Sequence, residues 1–107
     1  MKRVCFLLRL KKDRMKDYLE AHQVWPELLA VMREAGLRNY SLFLRRDGLV
    51  VGYLEAEDPE AALQQVAATD VSLRWEAEMA PFFAPDGGGT EEWLEEYFHM
   101  DGTEEDP

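Results

Sequence analysis

The sequence predicts an α+β fold, a ferredoxin-like split β-α-β arrangement built on a four-stranded antiparallel sheet. The first observation is the order of the apolar patterns, which alternate between strand-like and helix-like stretches as β-α-β-β-α-β. The second is the pair Asp47-Gly48 between two alternating stretches, because Asp-Gly is a strong signal for an antiparallel hairpin. The third is that two helix-like stretches begin at a proline, Pro26 and Pro59, which is favoured in a first helical turn.

The predicted strands are residues 3–10, 39–45, 49–57 and 93–100. Side chains of a strand point alternately to its two faces. In the first strand one face carries Val4, Phe6, Leu8 and Leu10, and the other carries Cys5 and Leu7. Both faces are therefore apolar at the centre, as expected of a strand that is covered on two sides.

The sheet face away from the helices is predicted to be too apolar to stay in contact with water. Each of three predicted strands offers two alternatives for this face, depending on the register. The second strand offers Phe43, or its neighbours Leu42 and Leu44. The third offers Val50 and Leu54, or Val51 and Tyr53, and the last offers Tyr97 or Phe98. Packing two such sheets together would cover this face. We therefore expect a homodimer of the dimeric α/β-barrel type.

The predicted helices are residues 13–23, 26–35, 61–68 and 71–79. Asp13, Asp58 and Thr69 stand at helix starts, where a side-chain oxygen can cap the first backbone N–H groups. Gly36 follows the second helix and is expected to end it.

Length and composition predict one domain, residues 1–100, followed by an acidic disordered tail, residues 101–107. The net charge of −10 argues against nucleic acid and against anionic membrane surfaces as partners. No apolar run approaches the length that spans a bilayer. A single cysteine, Cys5, cannot form an internal disulfide, which favours a cytoplasmic location. No cysteine and histidine cluster predicts a metal site.

The strongest candidate for chemistry is the segment from Tyr18 to Pro26. Tyr18 and His22 are four residues apart and would share one helix face. Pro26 removes a helical hydrogen bond and pushes Trp25 out of helical geometry, so the backbone must break beside these rings. His22 is the residue best suited to proton transfer near neutral pH, although spacing alone also fits a surface histidine beside core aromatics.

A second candidate is the pair Trp75-Glu76. An indole can stack on the C–H face of a sugar while a carboxylate accepts from its hydroxyls. The pattern fits equally well a core tryptophan beside an exposed glutamate.

These residues and others together resemble the L-rhamnose mutarotase family. The resemblance runs from Met1 to about Met100 and rests on Tyr18, His22, Trp25-Pro26-Glu27-Leu28, Asn39-Tyr40, Ala68-Thr69-Asp70-Val71 and Arg74-Trp75. It implies a dimeric ferredoxin-like enzyme that interconverts the α and β anomers of L-rhamnose without a cofactor. It also implies that His22 is the proton donor and that Tyr18, Tyr40, Trp75 and Glu76 bind the sugar.

Two departures widen the expected substrate to L-rhamnose or a closely related 6-deoxyhexose. His22 and Trp25 are one residue closer than is usual in the family, and Glu76 stands where a tryptophan is common. The general base is left open among water, Asp70 and Glu76. The alternative functions are a cofactor-free monooxygenase on the same scaffold and a non-catalytic module for sugar binding or dimerisation.

Overall fold

The computed structural model of the chain describes residues 1–84, 92–100 and 102. It confirms the α+β fold and the predicted order of its elements. The strands are β1 (Lys2–Arg9), β2 (Arg38–Leu44), β3 (Leu49–Ala56) and β4 (Glu92–Leu94). The α-helices are α1 (Met15–Ala21), α2 (Pro26–Glu34), α3 (Pro59–Ala67) and α4 (Asp70–Met79). The strands form one antiparallel sheet in the order β2-β3-β1-β4, which is the ferredoxin-like order.

The centre of the sheet is built around Phe6, which is fully buried. Phe6 stands opposite Gly52 on β3 and opposite Trp93 on β4. A Cβ atom at position 52 would overlap the Phe6 ring. The absence of a side chain at Gly52 is therefore what leaves room for the ring against the neighbouring strand.

All buried hydrophobic residues except Leu49 lie between the helices and one face of the sheet, in two clusters. The larger cluster contains Val4, Phe6, Leu28, Leu37, Leu54, Ala56, Ala62, Val66 and Val71. The smaller one contains Leu10, Tyr18, Val50, Met79 and Phe82. Trp75 is partly buried and packs against both clusters, so it sits where they meet.

Within the described residues no helix covers the other side of the sheet, and we call that side the open face. The register assigns to it Cys5, Leu7, Phe43, Val51, Tyr53 and Leu94. It also resolves the alternatives that the sequence left: Leu54 and Val50 are buried beneath the helices, whereas Phe43 is 62% exposed. Tyr97 and Phe98 lie outside any strand.

The predicted caps of the last two helices are confirmed. The Asp58 side chain accepts a hydrogen bond from the Ala61 backbone N–H at 3.2 Å, and Thr69 Oγ1 accepts from the Ser72 N–H at 3.3 Å. Gly36 follows α2 with a φ of +100°, a left-handed conformation that favours glycine. These ends follow from short-range signals, which is why the sequence predicts them.

The prediction that Asp13 caps a helix reaching residue 23 is wrong. Asp13 lies inside a 3-10 helix, Lys12–Arg14, and no side chain caps either this helix or α1. Arg14, the last residue of the 3-10 helix, has dihedrals outside the α-helical region (φ −110°, ψ 6°), so α1 begins only at Met15. At the other end His22 leaves helical geometry with a ψ of 70°, and α1 ends at Ala21.

The prediction of a last strand over residues 93–100 is wrong in its length. β4 pairs with β1 only at Cys5, Phe6 and Leu7, and residues 95–100 have no regular structure. In the segment after β4, the Glu96 carboxylate accepts a hydrogen bond of 2.8 Å from the Arg3 guanidinium. The predicted tail, residues 101–107, lies outside the described residues except for Gly102. Within the described part of the chain, no helix is long and apolar enough to cross a membrane.

Candidate active site

A cavity of about 600 Å³ lies between the helices and the sheet and is lined by all five residues to which the family resemblance assigns a role. These are Tyr18, His22, Tyr40, Trp75 and Glu76. They come from α1, its C-terminal end, β2 and α4, so the fold gathers residues that are far apart in the chain. Most of the remaining lining is aliphatic, including Leu28, Leu37, Val66 and Met79.

Tyr18 and His22 are held together by the last turn of α1. The His22 backbone N–H donates to the Tyr18 carbonyl at 2.9 Å. Their rings lie 5.2 Å apart between centroids, with planes inclined by 52°. The four-residue spacing therefore does place the phenol and the imidazole side by side, as the sequence predicts.

Trp75 closes the other side of His22. The imidazole and indole centroids are 5.3 Å apart, and the planes meet at 85° in an edge-to-face contact. Trp75 makes a second contact of this kind with Trp25, at 5.2 Å and 88°. His22 is thus enclosed between Tyr18 and Trp75, and Trp25 supports Trp75 from outside the cavity lining.

The break in the chain before α2 positions Trp25 for this contact. Trp25 has extended dihedrals (φ −64°, ψ 141°), as expected of a residue that precedes a proline. The Arg74 guanidinium lies 5.7 Å from the centre of the Trp25 ring. The same guanidinium contacts Asp70 at 3.0 Å and Glu27 at 3.6 Å, which links the starts of α2 and α4.

Tyr40 reaches the cavity from β2, next to an irregularity of that strand. The register between β2 and β3 shifts between Arg38 and Ser41, and Asn39 has a φ of +50°. Asn39 donates to the Glu55 carboxylate at 2.8 Å. Ser41 lies on the open face, so alternation places Tyr40 on the same side of the sheet as Leu42, and both line the cavity. Tyr40 packs edge to face with the ring of Phe6, with centroids 6.0 Å apart.

The cavity combines a neutral phenol with a carboxylate at its rim. Tyr18 is 5% exposed, and burial raises the pKa of its phenol above the ordinary value of 10.0. The phenol is therefore protonated at neutral pH and can donate a hydrogen bond. Glu76 is exposed and lines the cavity, whereas Asp70 pairs with Arg74 and does not line it.

The sequence did not single out Ser72, which also lines the cavity. It is 6% exposed and lies one helical turn before Trp75 and Glu76 on α4. Its spacing from Trp75 is the signal that could have identified it, because residues three apart share a helix face. As for metals, residues 1–84, 92–100 and 102 contain no group of three histidine, cysteine or acidic side chains that could hold an ion.

Comparison with known proteins points to one family. Residues 3–100 match the sequence model of the L-rhamnose mutarotase family. An L-rhamnose mutarotase from Burkholderia orbicola is 35% identical over 94% of this chain and 100% of its own length. The crystal structure of an L-rhamnose mutarotase from Formosa agariphila superposes with a TM-score of 0.78, at 26% identity over 94% of this chain and 100% of that one.

A more distant neighbour is the crystal structure of an antibiotic biosynthesis monooxygenase, with a TM-score of 0.63. It is 23% identical over 91% of this chain and 99% of its own, a likeness that shows the shared fold alone. It does not favour the monooxygenase alternative. With a family match over nearly all of its length and relatives of full coverage, the chain belongs to the L-rhamnose mutarotase family.

Proposed function

We propose that the protein interconverts the α and β anomers of L-rhamnose or a closely related 6-deoxyhexose by acid–base opening of the sugar ring. The observation that carries the proposal is the position of His22 between the rings of Tyr18 and Trp75, in a cavity large enough to admit a monosaccharide. Relatives that are named L-rhamnose mutarotases, and whose full length this chain matches, supply the substrate class.

In the proposed reaction His22 is the proton donor. The imidazolium gives its proton to the ring oxygen as the bond between that oxygen and C1 breaks. A base removes the proton of the anomeric hydroxyl, so C1 becomes the carbonyl carbon of the open aldehyde. Rotation about the C1–C2 bond presents the other carbonyl face to the same oxygen. Closure then reverses both proton transfers and yields the second anomer.

The base in this scheme is Glu76 or a water molecule, since Asp70 does not line the cavity. We assign binding of the sugar to Tyr18, Tyr40, Trp75 and Glu76. The two phenols offer hydrogen bonds to its hydroxyls, and the Trp75 ring offers an apolar surface to a C–H face. The aliphatic lining suits the methyl group of a 6-deoxy sugar.

Saturation-transfer NMR on the two anomeric protons of L-rhamnose tests this proposal directly. Wild-type protein should accelerate exchange between the anomers, and His22→Ala should lower that rate by about 100-fold or more, because a positioned acid contributes about 10²–10⁴-fold. His99→Ala is the matched control, since the other histidine of the chain is exposed in the segment after β4. A folded His22→Ala protein with wild-type exchange would remove His22 as the donor.

We also propose that the protein is a homodimer whose open faces pack together. Phe43 is 62% exposed and Leu94 is 44% exposed on that face. Cys5, Leu7 and Val51 lie half-buried beside them. An apolar sheet face of this kind is stabilised when a second sheet covers it. The sugar is then the small-molecule partner, and neither nucleic acid nor a membrane surface is proposed as one.

We further propose that the protein acts in the cytoplasm, because a single cysteine is typical of a reducing compartment. Fractionation of cells that make the protein would test this.

We also propose that residues 1–100 carry the whole function, because residues 101–107 offer little apolar surface. A chain that ends at Met100 should keep both its melting temperature and its exchange rate.

A further inference from the structure

Ser72 is the one buried polar residue among those that the structure describes, with 6% of its surface exposed. It lies on α4, three residues before Trp75 and four before Glu76. Side chains at this spacing lie on the same face of a helix. Ser72, Trp75 and Glu76 all line the cavity, so the face of α4 that carries them is turned toward it.

The hydroxyl of Ser72 has no partner in the described part of the chain. Its backbone N–H donates to Thr69 Oγ1 at 3.3 Å and completes the cap of α4, but its side-chain oxygen neither donates nor accepts. A serine inside a helix often bonds the carbonyl one turn earlier, and Ser72 does not. Among the described residues no enclosed side-chain oxygen or nitrogen lacks a partner. The Ser72 hydroxyl must therefore reach open space, and the space that Ser72 lines is the cavity.

The buried part of the cavity lining is largely apolar. Besides Ser72 and Tyr18, the buried residues that line the cavity are Leu28, Leu37, Val66 and Met79. A hydroxyl in such a lining gains little from aliphatic neighbours and is stabilised when a bound molecule supplies a hydrogen-bond partner. Glu76 differs, because it is exposed and can meet solvent directly.

We propose that Ser72 determines sugar specificity by forming a hydrogen bond with one hydroxyl of the deoxyhexose bound in the cavity. This inference rests on the proposed function and adds a contact that the five candidate residues do not provide. A site that hydrogen-bonds a substrate hydroxyl discriminates against an analogue that lacks it, because the protein group is then left unpaired. Ser72 would thus select for the sugar by recognising one hydroxyl against an aliphatic background.

The test is a binding series that compares wild-type protein with Ser72→Ala. The ligands are L-rhamnose and its analogues that each lack one hydroxyl, and the measurement is the Kd from titration calorimetry or NMR. Ser72→Ala should weaken L-rhamnose binding by about five- to tenfold, the usual value of one neutral hydrogen bond. One analogue should bind wild-type protein about as weakly as L-rhamnose binds Ser72→Ala, and Ser72→Ala should not bind that analogue more weakly than wild-type protein does. For each of the other analogues, the ratio of the Kd for Ser72→Ala to the Kd for wild-type protein should equal the ratio found with L-rhamnose.

Ser41→Ala is the matched control, because Ser41 stands opposite Tyr53 on the open side of the sheet and should leave every Kd unchanged. Alanine is the strongest helix former, so Ser72→Ala should fold, and equal melting temperatures will verify this. Wild-type affinity for all sugars in Ser72→Ala would overturn the inference, as would wild-type protein that binds every analogue as tightly as L-rhamnose. Failure of the proposed function is a separate result, namely wild-type protein that binds the sugar without accelerating anomer exchange.

Discussion

The imidazole of His22 meets the indole of Trp75 edge to face, with ring centroids 5.3 Å apart and planes at 85°. Trp75 meets Trp25 in the same way, so a row of rings runs from outside the cavity to the proposed proton donor. Edge-to-face pairs of aromatic rings resist rotation because their quadrupoles are complementary in that geometry. The orientation of His22 therefore depends on a residue that does not line the cavity.

We expect Trp25→Ala to lower the anomer exchange rate by about two- to tenfold, because an edge-to-face pair contributes about 0.5–1.5 kcal/mol. Loss of Trp25 frees the Trp75 ring, and with it the imidazole. Trp25→Phe keeps an aromatic ring at this position and should restore most of the rate. Saturation-transfer NMR reports the rate, and the ring proton signals of His22 report its mobility. Equal rates in wild-type protein and Trp25→Ala would show that the indole pair does not position His22.

The buried phenol of Tyr18 predicts a dependence of stability on pH. Burial raises its pKa in the folded protein above the ordinary value of 10.0, so the unfolded chain loses this proton first as the pH rises. The stability that the protonated Tyr18 phenol contributes is fully present below its unfolded-state pKa and is lost as the pH rises from there through its folded-state pKa. The free energy of unfolding, measured by urea titration above about pH 10, should therefore fall less steeply in Tyr18→Phe than in wild-type protein. Identical slopes of unfolding free energy against pH in the two proteins would show that burial does not raise the pKa of Tyr18.

The elements that the sequence predicts well are those with local signals. Asp58 and Thr69 cap their helices through atoms three residues away, and Gly48 takes a φ of +94° in the expected hairpin. The end of β4 has no such signal, since residues 93–100 are rich in apolar and aromatic side chains but pair with β1 only as far as Leu94. Whether such a stretch becomes a strand depends on a neighbour, which the local pattern does not contain.

The same distinction applies to the site. The proximity of Tyr18 and His22 follows from one helical turn, whereas the contact between His22 and Trp75 joins α4 to the end of α1. Tyr40 lies beside a bulge at Asn39, whose left-handed backbone no alternation pattern predicts. Ser72 is a single serine in a helix, and its position becomes informative only when the direction of the cavity is known.

Gly52→Ala should destabilise the protein strongly. The added Cβ would overlap the fully buried ring of Phe6, and overpacking of this kind costs about 1–3 kcal/mol or more. Phe6 also contacts Tyr40, so sugar affinity should fall together with stability. Chemical denaturation measures the first effect and a sugar titration the second. Adding Phe6→Leu to Gly52→Ala should recover part of the lost stability. A double variant that loses more unfolding free energy than the two single variants together would contradict this account.

The proposed dimer makes Phe43 a sensitive position. Phe43 stands opposite Val51 on the open face, and a charge there would be buried without a partner when two sheets meet. Light scattering at micromolar concentration should give twice the chain mass of 12.4 kDa for wild-type protein and a single chain mass for Phe43→Asp. Leu73→Asp is the matched control, because Leu73 is similarly exposed, at 59%, but lies on α4 on the helical side of the sheet. A wild-type monomer, or a Phe43→Asp dimer as stable as that of Leu73→Asp, would mean that the open face is not the interface.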